Sequence, residues 1–281
     1  MGSRYVGLML KLVGIDVQAV SVGGLETCIE LPGFELAFDI GRCPPTAVRR
    51  KRILCTHGHM DHMGGLAYHA ATRDLLGMPP PSYLVPRENH TDVLALFDVW
   101  RRLDRSTLPC AVVPCGPGDR VDIGGGRVAI PFRSPHRVPC QGYAIVGQKK
   151  KLRPEYAGLE PSEIHARRIA GETVSDTHEV VEVAFTGDTV VDVVEREPMV
   201  RTARLLIIEV TFVGDAVSVE KARSKGHVHL DEIAERADLF ENEALLFTHF
   251  SARHSPREIR AAIADRLPKH FHERVTPLLA E

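Results

Sequence analysis

Apolar residues in the first third of the chain come in short bursts at residues 17–22, 26–31, 35–39 and 52–56, and this rhythm predicts strands joined by turns, a β-meander. The pattern then lengthens. Residues 66–76 have the composition of a helix that stops near Gly77 and the prolines at 79–81. A strand is expected at 83–85, a helix at 91–103, and further strands at 111–113, 120–123, 128–132 and 143–146. Strand and helix alternate after that: strands at 180–185, 205–209 and 244–248, and helices at 230–240 and 256–267. The whole predicts α/β sheets with covering helices. No repeat of 20–50 residues and no low-complexity tract interrupts it.

The 281 residues are 44% hydrophobic, enough for a full core near the upper end of one α/β domain, so a single domain over residues 1–281 with an insertion is expected. The 35 basic and 37 acidic residues nearly cancel, so global charge makes no case for nucleic acid; such a partner would need local patches. Cysteines 28, 43, 55, 110, 115 and 140 form neither a C-x-x-C pair nor a dense framework, which fits buried thiols in a reducing, cytosolic compartment. The apolar run at 6–13 is short and broken by Lys11, and no stretch approaches the roughly 20 residues of a membrane span. Neither secretion nor membrane insertion is supported.

The chemistry concentrates in His57-Gly-His59-Met-Asp61-His62, four potential metal ligands in six residues directly after the apolar run Ile53-Leu-Cys55. His57 and His59 can reach one ion, while Asp61 and His62 point toward a second. Imidazole with carboxylate, and no thiolate, favours zinc or a similar divalent metal in an open catalytic site. A solvated loop could carry two histidines by accident; three and an aspartate in this order favour the metal. Three more candidates follow apolar runs: His136, Asp188 and His249. Singly, each could be a turn aspartate or a loop histidine, but all three stand at strand ends.

This ligand order resembles the metallo-β-lactamase superfamily, which implies an αββα sandwich. The resemblance assigns His57, His59 and His136 to one Zn2+ and Asp61, His62 and His249 to the other, with Asp188 bridging; Mn2+ or another divalent metal could substitute. Such a pair of ions suits hydrolysis. Ile207-Ile-Glu209, Gly226-His227-Val-His229 and Thr248-His249-Phe-Ser-Ala-Arg253 are similar to segments of the tRNase Z family, most of all its short plant-type form and bacterial relatives. That resemblance implies a zinc-dependent endoribonuclease removing the 3′ trailer of precursor tRNA, with Asp61, Glu209 and His227 catalytic: Glu209 orients His227, which protonates the departing 3′ oxygen. Without it, Glu209 could cap a loop and His227 could merely begin the next helix.

The resemblance also implies a homodimer and a tRNA-binding arm, expected at residues 147–176. Lys149, Lys150, Lys151, Arg153, Arg167 and Arg168 there, and Arg253, are candidates for RNA contact, against the plain alternative of a solvated hairpin. His254 stands where many relatives carry tyrosine. His229 could be a second active-site group, a helix N-cap or a surface residue, and histidines 69, 90, 165, 178, 270 and 272 are expected to be surface or partly buried. Two further functions stay open: a small-molecule hydrolase acting on a phosphodiester, lactone or thioester, and a catalytically silent tRNA-binding protein.

Overall fold

The computed structural model describes residues 7–279, and in them two seven-stranded sheets are built on one plan. In the first, β1 (Leu8–Leu12), β2 (Ile15–Val22), β3 (Glu26–Leu31) and β4 (Leu36–Phe38) form an antiparallel meander. The parallel strands β5 (Arg52–Leu54), β6 (Ser82–Pro86) and β7 (Ala111–Cys115) extend it. The second repeats the order: β8 (Val121–Gly124), β9 (Arg127–Arg133), β10 (Gln141–Leu152) and β11 (Ser175–Phe185) run antiparallel. Then β12 (Leu205–Glu209), β13 (Ala244–Thr248) and β14 (Val275–Pro277) add in parallel.

Side-chain alternation along the strands explains the layering. Leu36 and Phe38 face the second sheet, while Ala37 between them points outward under the helices Leu66–Leu75 and His90–Asp104. Across the interface, Ile207 and Leu246 point inward, whereas Leu206, Ile208, Leu245 and Phe247 face the helices of the other side. The rings of Phe38 and Phe185 meet 5.0 Å apart between the sheets. Strands buried on both faces need unbroken apolar runs, which is why β12 and β13 read as continuous hydrophobic stretches. The result is the αββα sandwich expected.

Several elements differ from expectation. The helix expected at 230–240 is only Leu230–Glu235, followed by a single 3-10 turn at Ala237–Leu239. β10 runs well beyond the expected residue 146, through Lys149–Lys151 to Leu152, where it pairs with Ser175. Those outer residues project past the sheet and bury no face, so no hydrophobic alternation marked them as strand. A helix, Pro161–Ile169, closes the projection. Among the described residues, no helix is long and apolar enough to cross a membrane, and the six cysteines are unpaired, four of them buried.

Candidate metal centre

Strand ends build the site. The first sheet delivers one loop: β5 leads into Thr56, His57 and His59, and the single turn Met60–Met63 carries Asp61 and His62. The second delivers its groups separately. His136 follows β9, Asp188 follows β11, Glu209 ends β12 and His249 follows β13, while His227 stands beyond the short helix Val219–Ser224. Parallel strands of one sheet end side by side, and this is where open α/β sheets place ligands.

The seven proposed ligands gather into two groups. Ligand atoms of His57, His59, His136 and Asp188 lie within 4.8 Å of one another, as do those of Asp61, His62 and His249. His57 Nε2 is 2.9 Å from His59 Nδ1 and 3.7 Å from Asp188 Oδ2, and His136 Nε2 is 4.0 Å from that same oxygen. The other carboxylate oxygen, Oδ1, faces the second group, 3.3 Å from His62 Nε2 and 3.4 Å from His249 Nε2. Asp61 Oδ2 stands 3.6 Å from each of those nitrogens. Asp188 thus spans the two groups, one oxygen to each.

A divalent cation fits this donor set. Asp188 Oδ1 and His136 Nε2 are buried and have no hydrogen-bond partner, an arrangement that costs a polar atom about 1–3 kcal/mol unless something satisfies it. The surrounding bonds also fix the tautomers that leave Nε2 free to bind a metal. His62 Nδ1 donates to Asp39 Oδ2 at 2.7 Å, and His136 Nδ1 donates to the Gly226 carbonyl at 2.8 Å. Thr56 Oγ1 donates to Asp39 and accepts from His57 Nδ1 at 2.9 Å. Thr211 Oγ1 donates to Glu209 Oε2 at 2.5 Å and accepts from His249 Nδ1 at 3.0 Å. Asp39 and His249 hold φ of 57° and 60°, a left-handed conformation costing a residue other than glycine about 1 kcal/mol or more. The packed site retains that strain.

Electrostatics divides the histidines. Burial holds His57 well below the ordinary imidazole range and lowers His59 and His136 as well. For His62 burial acts in the same direction, but Asp188, Asp39 and Asp61 overcome it and push the ring up to about 9. For Asp188 burial alone would raise the carboxyl, yet the surrounding imidazoles, His249 and His62 foremost, hold it far below the usual carboxylate range.

Beside this cluster lies a dyad. Glu209 Oε1 accepts from His227 Nδ1 at 2.8 Å and from Thr189 N at 2.9 Å, and Oε2 accepts from Val228 N at 3.3 Å. The fully engaged carboxylate outweighs burial and raises His227 to about 9. His227 lines an open groove of about 290 Å³ together with Thr211, Phe212, Lys225 and His249.

The other candidates scatter. Lys149, Lys150 and Lys151 are exposed on the projecting end of β10. Arg153 pairs with Asp176 at 2.8 Å, Arg167 with Glu172 at 3.0 Å, and Arg168 reaches Ser175 Oγ at 3.4 Å. Arg253 is exposed and His254 half-buried. His229 is the N-cap of Leu230–Glu235: it is buried, its Nδ1 accepts from Asp231 N at 3.2 Å, and Glu232 completes the capping box. His69, expected to be a surface or partly buried residue, is instead fully buried against Tyr83. Asp39, Thr56 and Thr211 carry no ligand spacing and are not visible in the sequence: Thr56 ends an apolar run, but Asp39 and Thr211 merely interrupt one, between Phe38 and Ile40 and between Val210 and Phe212.

Residues 41–250 match the family model described as a β-lactamase superfamily domain. The chain is 41% identical to tRNase Z TRZ1 of Arabidopsis thaliana, across 96% of each chain. It is 35% identical to the chloroplastic tRNase Z TRZ2 of the same plant, across 96% of this chain and 76% of that one. Among solved structures, the short form of human tRNase Z superposes with a TM-score of 0.56 at 20% identity, covering 99% of this chain and 96% of that one. At that identity the likeness is one of fold.

Proposed function

Because the chain belongs to the tRNase Z family of the β-lactamase superfamily, we propose that it is a metal-dependent endoribonuclease that removes the 3′ trailer from precursor tRNA. The observation that carries the reading is the Glu209–His227 dyad beside the histidine–aspartate cluster. A site for binding alone has no use for a carboxylate-held proton donor. A lactonase or thioesterase has less need of one, since its leaving group departs more readily than a sugar alkoxide.

In this reading His57, His59 and His136 would hold one divalent cation and Asp61, His62 and His249 a second, with Asp188 available to both; Zn2+ is the expected occupant and Mn2+ an alternative. Such ions, when bound, would supply the Lewis acidity that lowers the pKa of a water molecule and neutralises charge on the attacked phosphoryl group. The chain's residues do the rest. Glu209, fixed by Thr189 N, Thr211 and Val228 N, accepts from His227 Nδ1–H and so commits Nε2 to proton delivery. That nitrogen protonates the ribose 3′ oxygen as its bond to phosphorus breaks, leaving a 3′-hydroxyl on the tRNA and a 5′-phosphate on the trailer.

RNA affinity would come from Lys149, Lys150 and Lys151, which have no carboxylate partner among the described residues, with Arg168 and Arg253 in support. Arg153 and Arg167 would have to give up Asp176 and Glu172 to join them. A homodimer is the assembly that this family membership favours, and the six unpaired cysteines fit a reducing compartment such as the cytoplasm. The test is substrate choice: the metal-loaded protein should cleave a 3′-extended tRNA and turn over bis(p-nitrophenyl) phosphate weakly. Turnover of the small ester, a lactone or a thioester with the RNA left intact would replace this reading by a small-molecule hydrolase.

A further inference from the structure

Beyond His136 the loop following β9 opens a second cavity, about 580 Å³ against the 290 Å³ of the groove that holds His227. That volume falls within the range of pockets that enclose a small organic molecule, roughly 300–1,000 Å³. Arg137 is the one residue that lines both spaces. Its position is set by close packing: a Cβ on Gly226, whose φ is +80°, would meet His136 Nδ1 at 2.7 Å and Arg137 Cγ at 3.2 Å. Only glycine lets the turn before His227 sit beneath the His136–Arg137 pair. The rings of His136 and His227 are accordingly 5.2 Å apart. The guanidinium influences both flanks, opposing protonation of His227 on one side and of His59 on the other.

The second cavity is built for an anion. Arg133, Arg137 and Arg196 line it against one carboxylate, Glu88. Arg133 and Arg137 have no ion pair or side-chain hydrogen bond among the described residues, whereas Arg196 pairs with Asp192 at 3.5 Å. An unpaired guanidinium beside a cavity presents a planar fork suited to phosphate oxygens. The direction of the substrate follows from the proton donor. His227 serves the leaving 3′ oxygen, so the last nucleotide of the mature tRNA occupies the His227 groove. The phosphorus stays with the trailer, which must continue across His136.

We infer that the cavity beyond His136 receives the first trailer nucleotide, and that Arg137 holds the phosphate following it, one residue downstream of the bond that is cut. This assignment rests on the trailer-cutting activity proposed above. It makes the second trailer phosphate a specificity element: a precursor with a one-nucleotide trailer lacks the group that Arg137 binds.

The test compares two precursors of one tRNA, with trailers of one and of six nucleotides, cleaved by wild type, Arg137→Ala and Arg137→Lys at several salt concentrations, with metal content measured for each protein. Arg137→Ala should lower kcat/KM for the long trailer at least tenfold more than for the short one, the scale of a charge-assisted hydrogen bond. Its log–log salt slope on the long trailer should fall by about one, and Arg137→Lys should restore the slope more than the rate. Equal losses on both trailers, or no loss on either, would overturn the Arg137 assignment while leaving trailer removal standing. A wild type inert on both RNAs would remove the parent activity and the subsite with it.

Discussion

In the first sheet one loop carries His57, His59, Asp61 and His62, whereas the second sheet places Asp188, Glu209 and His249 one apiece at the ends of β11, β12 and β13. The strand order in the two halves is the same, yet the groups are delivered differently. In the loop, spacing along the backbone alone brings the ligands together. In the second sheet neighbours are made by register: Phe185 lies opposite Ile207, and Glu209 opposite Thr248, so the residues just beyond those pairs converge. On the reading proposed above, the first half supplies a compact cradle for cations. The second supplies the carboxylate that spans both ligand groups and the carboxylate that holds the proposed proton donor.

The two halves depend on each other most at Asp188. Asp188→Ala removes the side chain whose two oxygens face the two ligand groups, so hydrolysis should fall by about a thousandfold or more, the scale of losing several kcal/mol of charge stabilisation. Bound metal, measured by elemental analysis, should fall with it. Full metal content with unchanged turnover would rule out the bridging role. His227→Ala separates the second half's two tasks: RNA cleavage should drop about 10²- to 10⁴-fold, while an ester with a p-nitrophenolate leaving group, which needs no proton, should lose far less. Equal losses on both substrates would argue against proton donation.

Outside the site the expected effects shrink. Replacing Lys149, Lys150 and Lys151 together by alanine should raise the KM for tRNA and flatten its salt dependence, each lost phosphate contact lowering the log–log slope by about 0.9. An unchanged slope would mean that this end of β10 does not touch RNA. His69, on the outer face of the first sheet, should affect stability and not chemistry. Burial holds its pKa at about 4 against an ordinary 6.5, so the unfolded chain binds the extra proton more readily. The stabilisation is complete above about pH 6.5 and is lost as pH falls toward 4, up to about 3 kcal/mol. His69→Gln should flatten that limb in urea unfolding measured between pH 7 and pH 4; an unchanged limb would assign the acid sensitivity elsewhere.

The loop from His57 to His62 was legible because its chemistry is local, and His136, Asp188 and His249 because polar residues stand where apolar runs end. The groups that brace them were not. Asp39 and Thr56 meet only because β4 and β5 pair in parallel, and Thr211 reaches Glu209 and His249 only through the fold. The projecting end of β10 hid behind a lysine run, since a strand with neither face buried has no reason to alternate. β1 read as a plain apolar run, and short helices such as Asp192–Arg196 and Pro198–Thr202 are too brief to show a period. His229 was ambiguous for another reason: a histidine can cap a helix or serve a site with the same neighbours in sequence.

The most direct test of the central claim is cleavage of a 3′-extended precursor tRNA by the purified protein, with and without a chelator, with both product ends mapped. The protein should make one chelator-sensitive cut that leaves a 3′-hydroxyl on the tRNA and a 5′-phosphate on the trailer. Intact RNA in the presence of metal-loaded protein, or a cut leaving the phosphate on the tRNA, would contradict it.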